Sequence, residues 1–490
     1  MQSQVNDFLV YRWRYILSYA FVGLIIAAVV TIASMYVPGA LRSGEMNSAL
    51  QSGALSMESL DPLMVIDLPY HILQRLSFMA FGVSTISIKL PSIVLGLATI
   101  LGVYLLVRTW FRRNVAILTT AVAATSTQFL FLVQDGTPNI MFSFLSVWLL
   151  FAATYVTRKK TFSTFWKVLA GILMATSLYT PLGIYLVLAV LTTAFFHPHI
   201  RHLIRRFSRP RLWIGIVLGI LSAVPVAYAS FLNHDVLFTL IGIPTSTVHF
   251  RDNLVQLFFD VFGFASQSNT YFLRPVYSLG LLLLVGVGLY KLFTYKYTAR
   301  SYIVLTLGLI LIPLIIFNPR HVTHLFPLVC LMVALGLATL ITDWYKLFPR
   351  NPYARVAGLI PLSILVLGVV YSGVTRYMNA YMYSPDILRH YTNDLRLIDR
   401  EVEKSKALKR PVVLIASRNE VPFYALVAHY SKSFSVTSDP ATTLPPSLGD
   451  VLYTHDAYKA TKPSVEPNTI ITSRMSSNGD RLYIYKSGAK

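Results

Sequence analysis

Charged residues are scarce in this sequence, and acidic ones are the scarcest. Only 13% of the 490 residues are charged, with 21 Asp and Glu against 42 Lys and Arg, whereas 55% are hydrophobic. This composition excludes a soluble globular protein of such length and predicts a polytopic α-helical membrane protein. The sequence also has a single cysteine, Cys330, so no internal disulfide is expected.

Apolar runs long enough to cross a bilayer recur up to about residue 375. We predict about eleven transmembrane helices, two of them short and drawn from 166–196, where Tyr179, Thr180 and Pro181 interrupt the apolar run. The others are expected at 15–37, 90–107, 115–133, 138–156, 212–232, 275–293, 301–317, 323–342 and 356–375. The first run has no clear cleavage site before Pro38 and is expected to remain as a span.

The basic residues predict how the chain is oriented. Lys and Arg cluster at alternate ends of the expected spans, within 12–14, 108–113, 158–167, 201–211, 291–300 and 346–355. The opposite ends hold only Arg42, Arg75, Lys89, Arg251, Arg274 and Arg320. By the positive-inside rule, this predicts a multi-pass protein of the cell membrane with a cytoplasmic N-terminus and an extracytoplasmic C-terminus. The same placement explains most of the net charge of +21, and no nucleic-acid partner is expected.

Two outer segments are expected to carry interfacial helices. In Pro69–Phe81, one helical face is predicted to carry the apolar residues Tyr70, Leu73, Leu76 and Phe78. In 233–274, a similar face is expected from Leu254, Leu257, Phe258, Val261 and Phe262. Helices that simply pack over the bundle remain an open alternative.

Charges become dense after about residue 376, which divides the chain into a transmembrane domain, 1–375, and a small extracytoplasmic α/β domain, 376–490. Helices are expected at Asp386–Lys406 and Val421–Tyr430. Strands are expected at Val412–Ala416, Phe434–Val436, Val451–Tyr453, Thr469–Ile471 and Leu482–Tyr485. No glycine-rich fingerprint follows a strand, so the sequence does not support nucleotide binding.

The few carboxylates at the outer ends of the spans are the candidate catalytic groups. Glu45 lies in a polar stretch after the first span, Asp135 lies in a short turn between two spans, and Asp67 precedes Leu68–His71. A carboxylate at a lipid interface is costly unless it is solvated, paired or functional. Structural alternatives stay open: a solvated loop residue for Glu45, an Asx turn for Asp135, and for Asp67 a helix cap, which we favour over catalysis.

Two basic residues at outer span ends, Lys89 and Arg320, are candidates for binding a phosphate group. Interface snorkelling is the alternative role for both. His321 and His324 can share a helical face, but two histidines are a weak metal signal without further ligands. No metal site and no organic cofactor are therefore predicted, and dependence on a divalent cation stays open.

Several short motifs resemble those of membrane glycosyltransferases of the GT-C fold, in particular the group of protein O-mannosyltransferases (glycosyltransferase family 39) and lipid A aminoarabinose transferases. The matching segments are Leu68–His71, Phe81–Ser84, Lys89–Ser92, Gln134–Pro138 and Pro319–His321. The family usually has Asp-Glu in its first outer loop, where this chain has Gly44 and Glu45. It usually has Arg before the second-loop turn and often Asp after it, where this chain has Gln134 and Asn139.

The resemblance implies an inverting transfer of a sugar from a polyprenyl-phosphate donor to a protein, lipid or glycan acceptor outside the membrane. Glu45 would then be the general base and Asp135 would orient the acceptor or the base. Arg320 and Lys89 would hold the donor phosphate, with Asp67, His321 and Asn139 as supporting residues.

Two other classes of function remain open. A secondary transporter is disfavoured, because the spans hold almost no ionisable residue and the sequence has no internal repeat. The other is a non-enzymatic scaffold that binds a partner through its outer domain.

Overall fold

The computed structural model describes residues 20–486 apart from 21, 34–39, 56–60, 159–161, 206–208, 245–248, 264–273, 295–297, 349–351, 385–386, 388–389, 409, 440–448 and 474–479. Parts of the expected first span, 15–19 and 34–37, and the expected helix start at Asp386 lie outside the described residues.

The first part of the described chain is helical. Its helices are α1 (Val22–Ala33), α2 (Ser43–Ala54), α3 (Leu68–Phe81), α4 (Thr85–Trp110), α5 (Arg113–Thr125), α6 (Thr127–Gln134), α7 (Ile140–Arg158), α8 (Ser163–Ser177), α9 (Gly183–Phe196), α10 (Pro198–Arg205), α11 (Arg209–Leu232), α12 (His234–Ile241), α13 (Phe250–Phe262), α14 (Leu279–Thr294), α15 (Ala299–Phe317), α16 (Phe326–Leu347) and α17 (Pro352–Tyr383). Two 3₁₀ turns, Pro62–Val65 and Pro319–Leu325, precede α3 and α16.

Among the described residues, six helices are long and apolar enough to cross a membrane, or up to eight spans are present if each bent helix pair is one span. The expected count of about eleven is not confirmed. The described helices α8 and α14, in the expected spans 166–196 and 275–293, are shorter than a straight span requires. Of the expected span 15–37, the structure describes only residue 20 and 22–33.

The expected span 115–133 is a bent pair rather than one straight helix. The axes of α5 and α6 differ by 61°, because Ser126 between them has an extended backbone. The bend packs against α17, where the Thr127 hydroxyl donates to the carbonyl of Gly373. It places the C-terminal end of α6, and the turn that follows it, beside α4.

The two helices expected at the membrane interface are present, but one apolar face differs from the prediction. On α3, Tyr70 and Phe78 are buried, whereas Leu73 and Leu76 are exposed. The four residues therefore do not share a face, because the buried side of α3 carries polar residues that contact the neighbouring turn. On α13, Leu254, Phe258 and Phe262 are exposed, as an interfacial helix requires.

The C-terminal unit, Leu395–Tyr485, is an α/β fold around one sheet. Its helices are α18 (Leu395–Ala407), α19 (Val421–Ser431) and α20 (His455–Thr461), and its strands are β3 (Val412–Ile415), β4 (Ser435–Thr437), β5 (Asp450–Tyr453), β6 (Thr469–Thr472) and β7 (Arg481–Tyr485). The strand order is β4-β3-β5-β7-β6; β3 pairs parallel with β4 and β5, and β7 pairs antiparallel with β5 and β6. These strands coincide with the five strand-like runs of the sequence.

A short strand pair joins the loop after α1 to the segment after α17. β1 (Leu41–Arg42) pairs antiparallel with β2 (Tyr391–Asn393). Within the expected helix 386–406, Tyr391–Asn393 are therefore extended in this strand pair, and the helix that follows them begins at Leu395. One hydrophobic core continues across the junction and includes Leu41, Ala49, Phe78, Ile88, Leu395, Phe423 and Tyr424.

Close packing of α14 on α16 requires glycine where the two helices cross. A Cβ on Gly288 would lie 2.2 Å from the carbonyl oxygen of Met332, and a Cβ on Gly336 would lie 2.2 Å from that of Leu284. Neither contact is relieved by rotating a side chain, because both partners are backbone atoms. The two helices can approach this closely only while both positions lack a side chain.

We expect Gly288→Ala to destabilise the bundle by about 1–3 kcal/mol, because the added methyl group separates α14 from α16. Gly286→Ala, on the same helix, is the matched control, since no atom lies within 4 Å of its added Cβ. Thermal unfolding of the purified protein in detergent measures the difference. Equal unfolding temperatures for the two variants would contradict this packing.

Candidate active site

Four buried charged residues from three separate segments meet at one end of the bundle. Arg42 and Glu45 come from β1 and the first turn of α2, Lys89 from the first turns of α4, and Asp135 from the turn after α6. Their exposed fractions are 7%, 0%, 2% and 1%, respectively. We call these four residues the charge cluster.

Glu45 is held on both of its carboxylate oxygens. Oε2 accepts a hydrogen bond from the backbone N–H of Arg42 at 2.9 Å, which fixes the start of α2. Oε1 accepts from the backbone N–H of Gly136 at 2.8 Å and lies 3.3 Å from Nζ of Lys89. Gly136 has to be small here, because a Cβ would lie 2.7 Å from the Ile88 side chain and 3.4 Å from Oε1.

Asp135 forms the second ion pair of the cluster. Its Oδ1 lies 2.5 Å from Nη2 of Arg42. Its Oδ2 accepts hydrogen bonds from the Thr137 hydroxyl at 2.8 Å and from Nδ2 of Asn139 at 3.1 Å. Both donors are side chains, whereas an Asx turn uses the backbone N–H two residues further on. The ion pair with Arg42 is a contact that an Asx turn alone does not need. Asn139 is half-buried, so Asp135 lies next to the more accessible side of the cluster.

Lys89 links the cluster to a group of tyrosines. Its Nζ donates to Oε1 of Gln134 at 3.2 Å and lies 5.6 Å from the ring centroid of Tyr391. The Gln134 amide in turn donates to the hydroxyls of Tyr381 and Tyr391, the latter at 2.9 Å, and those two hydroxyls are 2.7 Å apart. A buried ammonium is thus surrounded by a carboxylate, an amide oxygen and an aromatic face, which all stabilise its charge.

A second polar group lies beneath the turn and fixes its backbone. The Gln74 amide donates to the carbonyls of Ile88 and Gly136 at 2.9 Å and 3.1 Å, and its Oε1 accepts from Ser48 and Ser52. The Ser52 hydroxyl lies 2.8 Å from Nδ1 of His71, and burial lowers the pKa of His71 to about 4. A neutral imidazole therefore contacts the Ser52 hydroxyl. The polar side chains of α3 thus hold the backbone that positions the charge cluster.

Asp67 does not cap α3, contrary to the sequence expectation. It occupies the N-cap position, but its φ of 52° is left-handed and its side chain makes no capping hydrogen bond. Its backbone N–H donates instead to the carbonyl of Tyr179 at 2.8 Å. Burial raises the pKa of Asp67 to about 8, and the neighbouring Thr180 side chain partly offsets that effect. A carboxyl group with this pKa is mostly uncharged at neutral pH.

The structure does not place Arg320 or His321 in the charge cluster. Arg320 is exposed on the 3₁₀ turn before α16 and forms no ion pair with a carboxylate of the described chain. His321 is half-buried and its ring lies 5.0 Å from that of buried His324. Within the part of the chain that the structure describes, no three His, Cys, Asp or Glu side chains form a metal-binding group.

Sequence reasoning missed three members of the site: Arg42, Gln134 and Tyr391. The sequence signal for Arg42 is its position: it lies three residues before Glu45, at an outer span end, where basic residues are few. Gln134 stood out only as a departure from the expected Arg. Nothing in the sequence marks Tyr391, because its role depends on the pairing of β1 with β2.

Comparison with known proteins identifies the fold. The sequence profile of the dolichyl-phosphate-mannose-protein mannosyltransferase family matches residues 69–228. The structure of ArnT from Cupriavidus metallidurans bound to undecaprenyl phosphate is similar with a TM-score of 0.53 at 15% identity, over 96% of this chain and 99% of that one. No match was found among curated proteins.

The oligosaccharyltransferase of Archaeoglobus fulgidus is similar as well. Tethered to an acceptor peptide, it gives a TM-score of 0.52 at 12% identity, over 88% of this chain and 65% of the oligosaccharyltransferase. This chain thus spans about two thirds of that longer protein. Together these matches agree with the resemblance drawn from the sequence and show that the chain has the GT-C fold.

Proposed function

We propose that this chain transfers a sugar, with inversion, from a polyprenyl-phosphate donor to a protein, lipid or glycan acceptor on the outer face of the cell membrane. The observation that carries the proposal is the charge cluster, which combines two carboxylates and two cations in one buried place. The ArnT structure, which contains undecaprenyl phosphate, supports a lipid-linked donor. The positive-inside distribution of Lys and Arg supports a cytoplasmic N-terminus and an extracytoplasmic C-terminal unit.

The reaction needs a general base and a cation that stabilises the negative charge on the departing phosphate. A carboxylate takes the proton from the acceptor hydroxyl or amine, whose lone pair then forms a bond to the anomeric carbon of the sugar. The bond from that carbon to the phosphate oxygen breaks, and its electron pair leaves with the polyprenyl phosphate. A cation beside the phosphate stabilises the charge that develops there. The charge cluster holds both kinds of group within one contact network.

Glu45 is our proposed base, and its contacts suggest how it is released. Oε1 is shared between Lys89 and the Gly136 N–H, and Oε2 accepts from the Arg42 N–H. A donor phosphate is also an anion that accepts charge-assisted hydrogen bonds, so it competes with Glu45 for Lys89. Binding of the donor to Lys89 would therefore free one lone pair of Glu45 to accept a proton, which couples donor binding to activation of the base.

The role we propose for Asp135 differs from that of Glu45. Its ion pair with Arg42 keeps a second cation in the cluster, and its hydrogen bond from half-buried Asn139 supports a role on the more accessible side of the cluster. We propose that Asp135 orients the acceptor and holds Arg42, which takes the phosphate-binding role first expected of Arg320. Asn139 supports Asp135, whereas His321 has no contact that links it to this step.

The function itself is tested with purified protein and a mixed pool of polyprenyl-phosphate sugars, with cell-envelope material as the acceptor source and mass spectrometry as the readout. The wild type should consume one lipid-linked sugar and leave polyprenyl phosphate. If folded wild-type protein consumes no donor, the scaffold function is favoured instead.

Replacement of Glu45 by Gln should lower turnover about 10²- to 10⁴-fold, because the base is lost. It should also destabilise the protein by about 3–5 kcal/mol, because Lys89 remains buried without its carboxylate. The double variant Glu45→Gln/Lys89→Met removes both charges, so it should regain most of the stability but none of the turnover. Turnover and thermal unfolding are measured on the same preparations.

Asp343→Asn serves as the control for this series, since Asp343 also pairs with a lysine, Lys291 at 3.4 Å, but is half-exposed and outside the cluster. It should retain wild-type turnover. Recovery of turnover in the charge-balanced double variant would show that Glu45 and Lys89 have only a structural role.

Asp67→Asn should stabilise the protein at high pH. The pKa of Asp67 rises from an ordinary value of 3.8 to about 8 on folding, so the wild type loses stability as pH rises from the lower value through the higher one. The unfolding temperature of the Asn variant should therefore exceed that of the wild type at pH 9, and the gain should shrink towards pH 4. A gain that does not change with pH would contradict the assignment.

A further inference from the structure

The segment between α17 and the C-terminal unit places a tyrosine beside the charge cluster. Tyr391 lies in β2, paired with Arg42 of β1, although the two residues are far apart in the sequence. The Tyr391 side chain is buried, with an exposed fraction of 3%. It lies outside residues 69–228, the segment that matches the mannosyltransferase family, so neither the matched segment nor the sequence motifs mark it.

Tyr391 acts on Lys89 directly through its ring and indirectly through Gln134. The face of its ring lies 5.6 Å from Nζ of Lys89, and its hydroxyl accepts a hydrogen bond from Gln134, whose Oε1 in turn accepts from Nζ. The ring stabilises the ammonium by its quadrupole, and the hydroxyl fixes which end of the Gln134 amide faces Lys89. With the hydroxyl absent, the amide loses one of the partners that hold its oxygen towards Nζ.

The strand that carries Tyr391 is anchored on its other side in the C-terminal unit. Nδ2 of Asn393 donates to Oε1 of Glu420 at 2.9 Å and to the hydroxyl of Tyr424 at 3.1 Å. The backbone N–H of Asp394 donates to Oδ2 of Asp480 at 2.6 Å. β2 is thus fixed between the charge cluster and the sheet of the C-terminal unit, and the position of Tyr391 depends on both.

We propose that Tyr391 is a positioning residue for the transfer reaction, which sets Lys89 in place for the donor phosphate, and that the C-terminal unit completes the active site through it. This inference rests on the proposed function of the charge cluster. It assigns the C-terminal unit a role inside the site, in addition to any contact with an acceptor.

The test compares Tyr391→Phe, which keeps the ring over Lys89, with Tyr391→Leu, which removes ring and hydroxyl. Affinity is measured for undecaprenyl phosphate and for undecaprenol, the same chain without its phosphate. Tyr391→Phe should weaken binding of the phosphate about three- to tenfold, Tyr391→Leu should weaken it further, and neither should change binding of the alcohol. Turnover of the donor consumed by the wild type should fall in the same order.

Tyr485→Phe is the matched control, because Tyr485 is a buried tyrosine of the C-terminal unit whose hydroxyl donates to the carbonyl of Val465. Its affinities and turnover should equal those of the wild type. If Tyr391→Phe does not fold, Asn393→Ala, which loosens β2 without touching Lys89, should weaken phosphate binding in the same direction.

The outcomes separate the two proposals. An active wild type with unchanged phosphate affinity in the Tyr391 variants, or in Asn393→Ala, overturns the role of Tyr391 alone. Equal loss of affinity for phosphate and alcohol also overturns it, since a general distortion of the bundle would act on both. A folded wild type that consumes no donor overturns the proposed function and this inference together.

Discussion

Burial of four charges in one place is the constraint on which the rest of this structure depends. An ion removed from water is stable only if its charge is compensated and its remaining hydrogen-bonding positions are filled. Arg42 is therefore paired with Asp135 and Lys89 with Glu45, and the Gly136 N–H, Thr137, Asn139 and Gln134 fill further positions. Loss of one partner from such a cluster is strongly destabilising, because it leaves an uncompensated buried charge.

The fold brings these residues together by three devices. The bend between α5 and α6 turns the end of α6 towards α4, the polar side of α3 supports the turn at Gly136, and the pairing of β1 with β2 joins Arg42 to the C-terminal unit. Each of these three features fixes the position of the backbone that carries the charged residues. The charge cluster is thus assembled at the junction of the helical bundle and the C-terminal unit.

Much of the fold was predictable from the sequence. The length of the apolar runs and the uneven distribution of Lys and Arg both follow from the bilayer. The alternation of apolar and polar residues in the C-terminal part of the chain indicates strands. Glu45, Lys89 and Asp135 were found as costly charges at span ends. The span count was not predictable, since α8 and α14 are apolar but too short and α5 bends into α6. Arg42 and Tyr391 were missed because their roles arise from a strand pair between distant segments, and the cap expected of Asp67 was wrong because its backbone is left-handed.

The most direct test of the account is the structure of the purified protein with undecaprenyl phosphate bound, determined by electron cryomicroscopy in a lipid nanodisc. The account predicts phosphate density within hydrogen-bonding distance of Nζ of Lys89, with the Lys89–Glu45 contact lengthened beyond its present 3.3 Å. Phosphate bound elsewhere, with both ion pairs of the cluster unchanged, would contradict the claim that this cluster is the active centre.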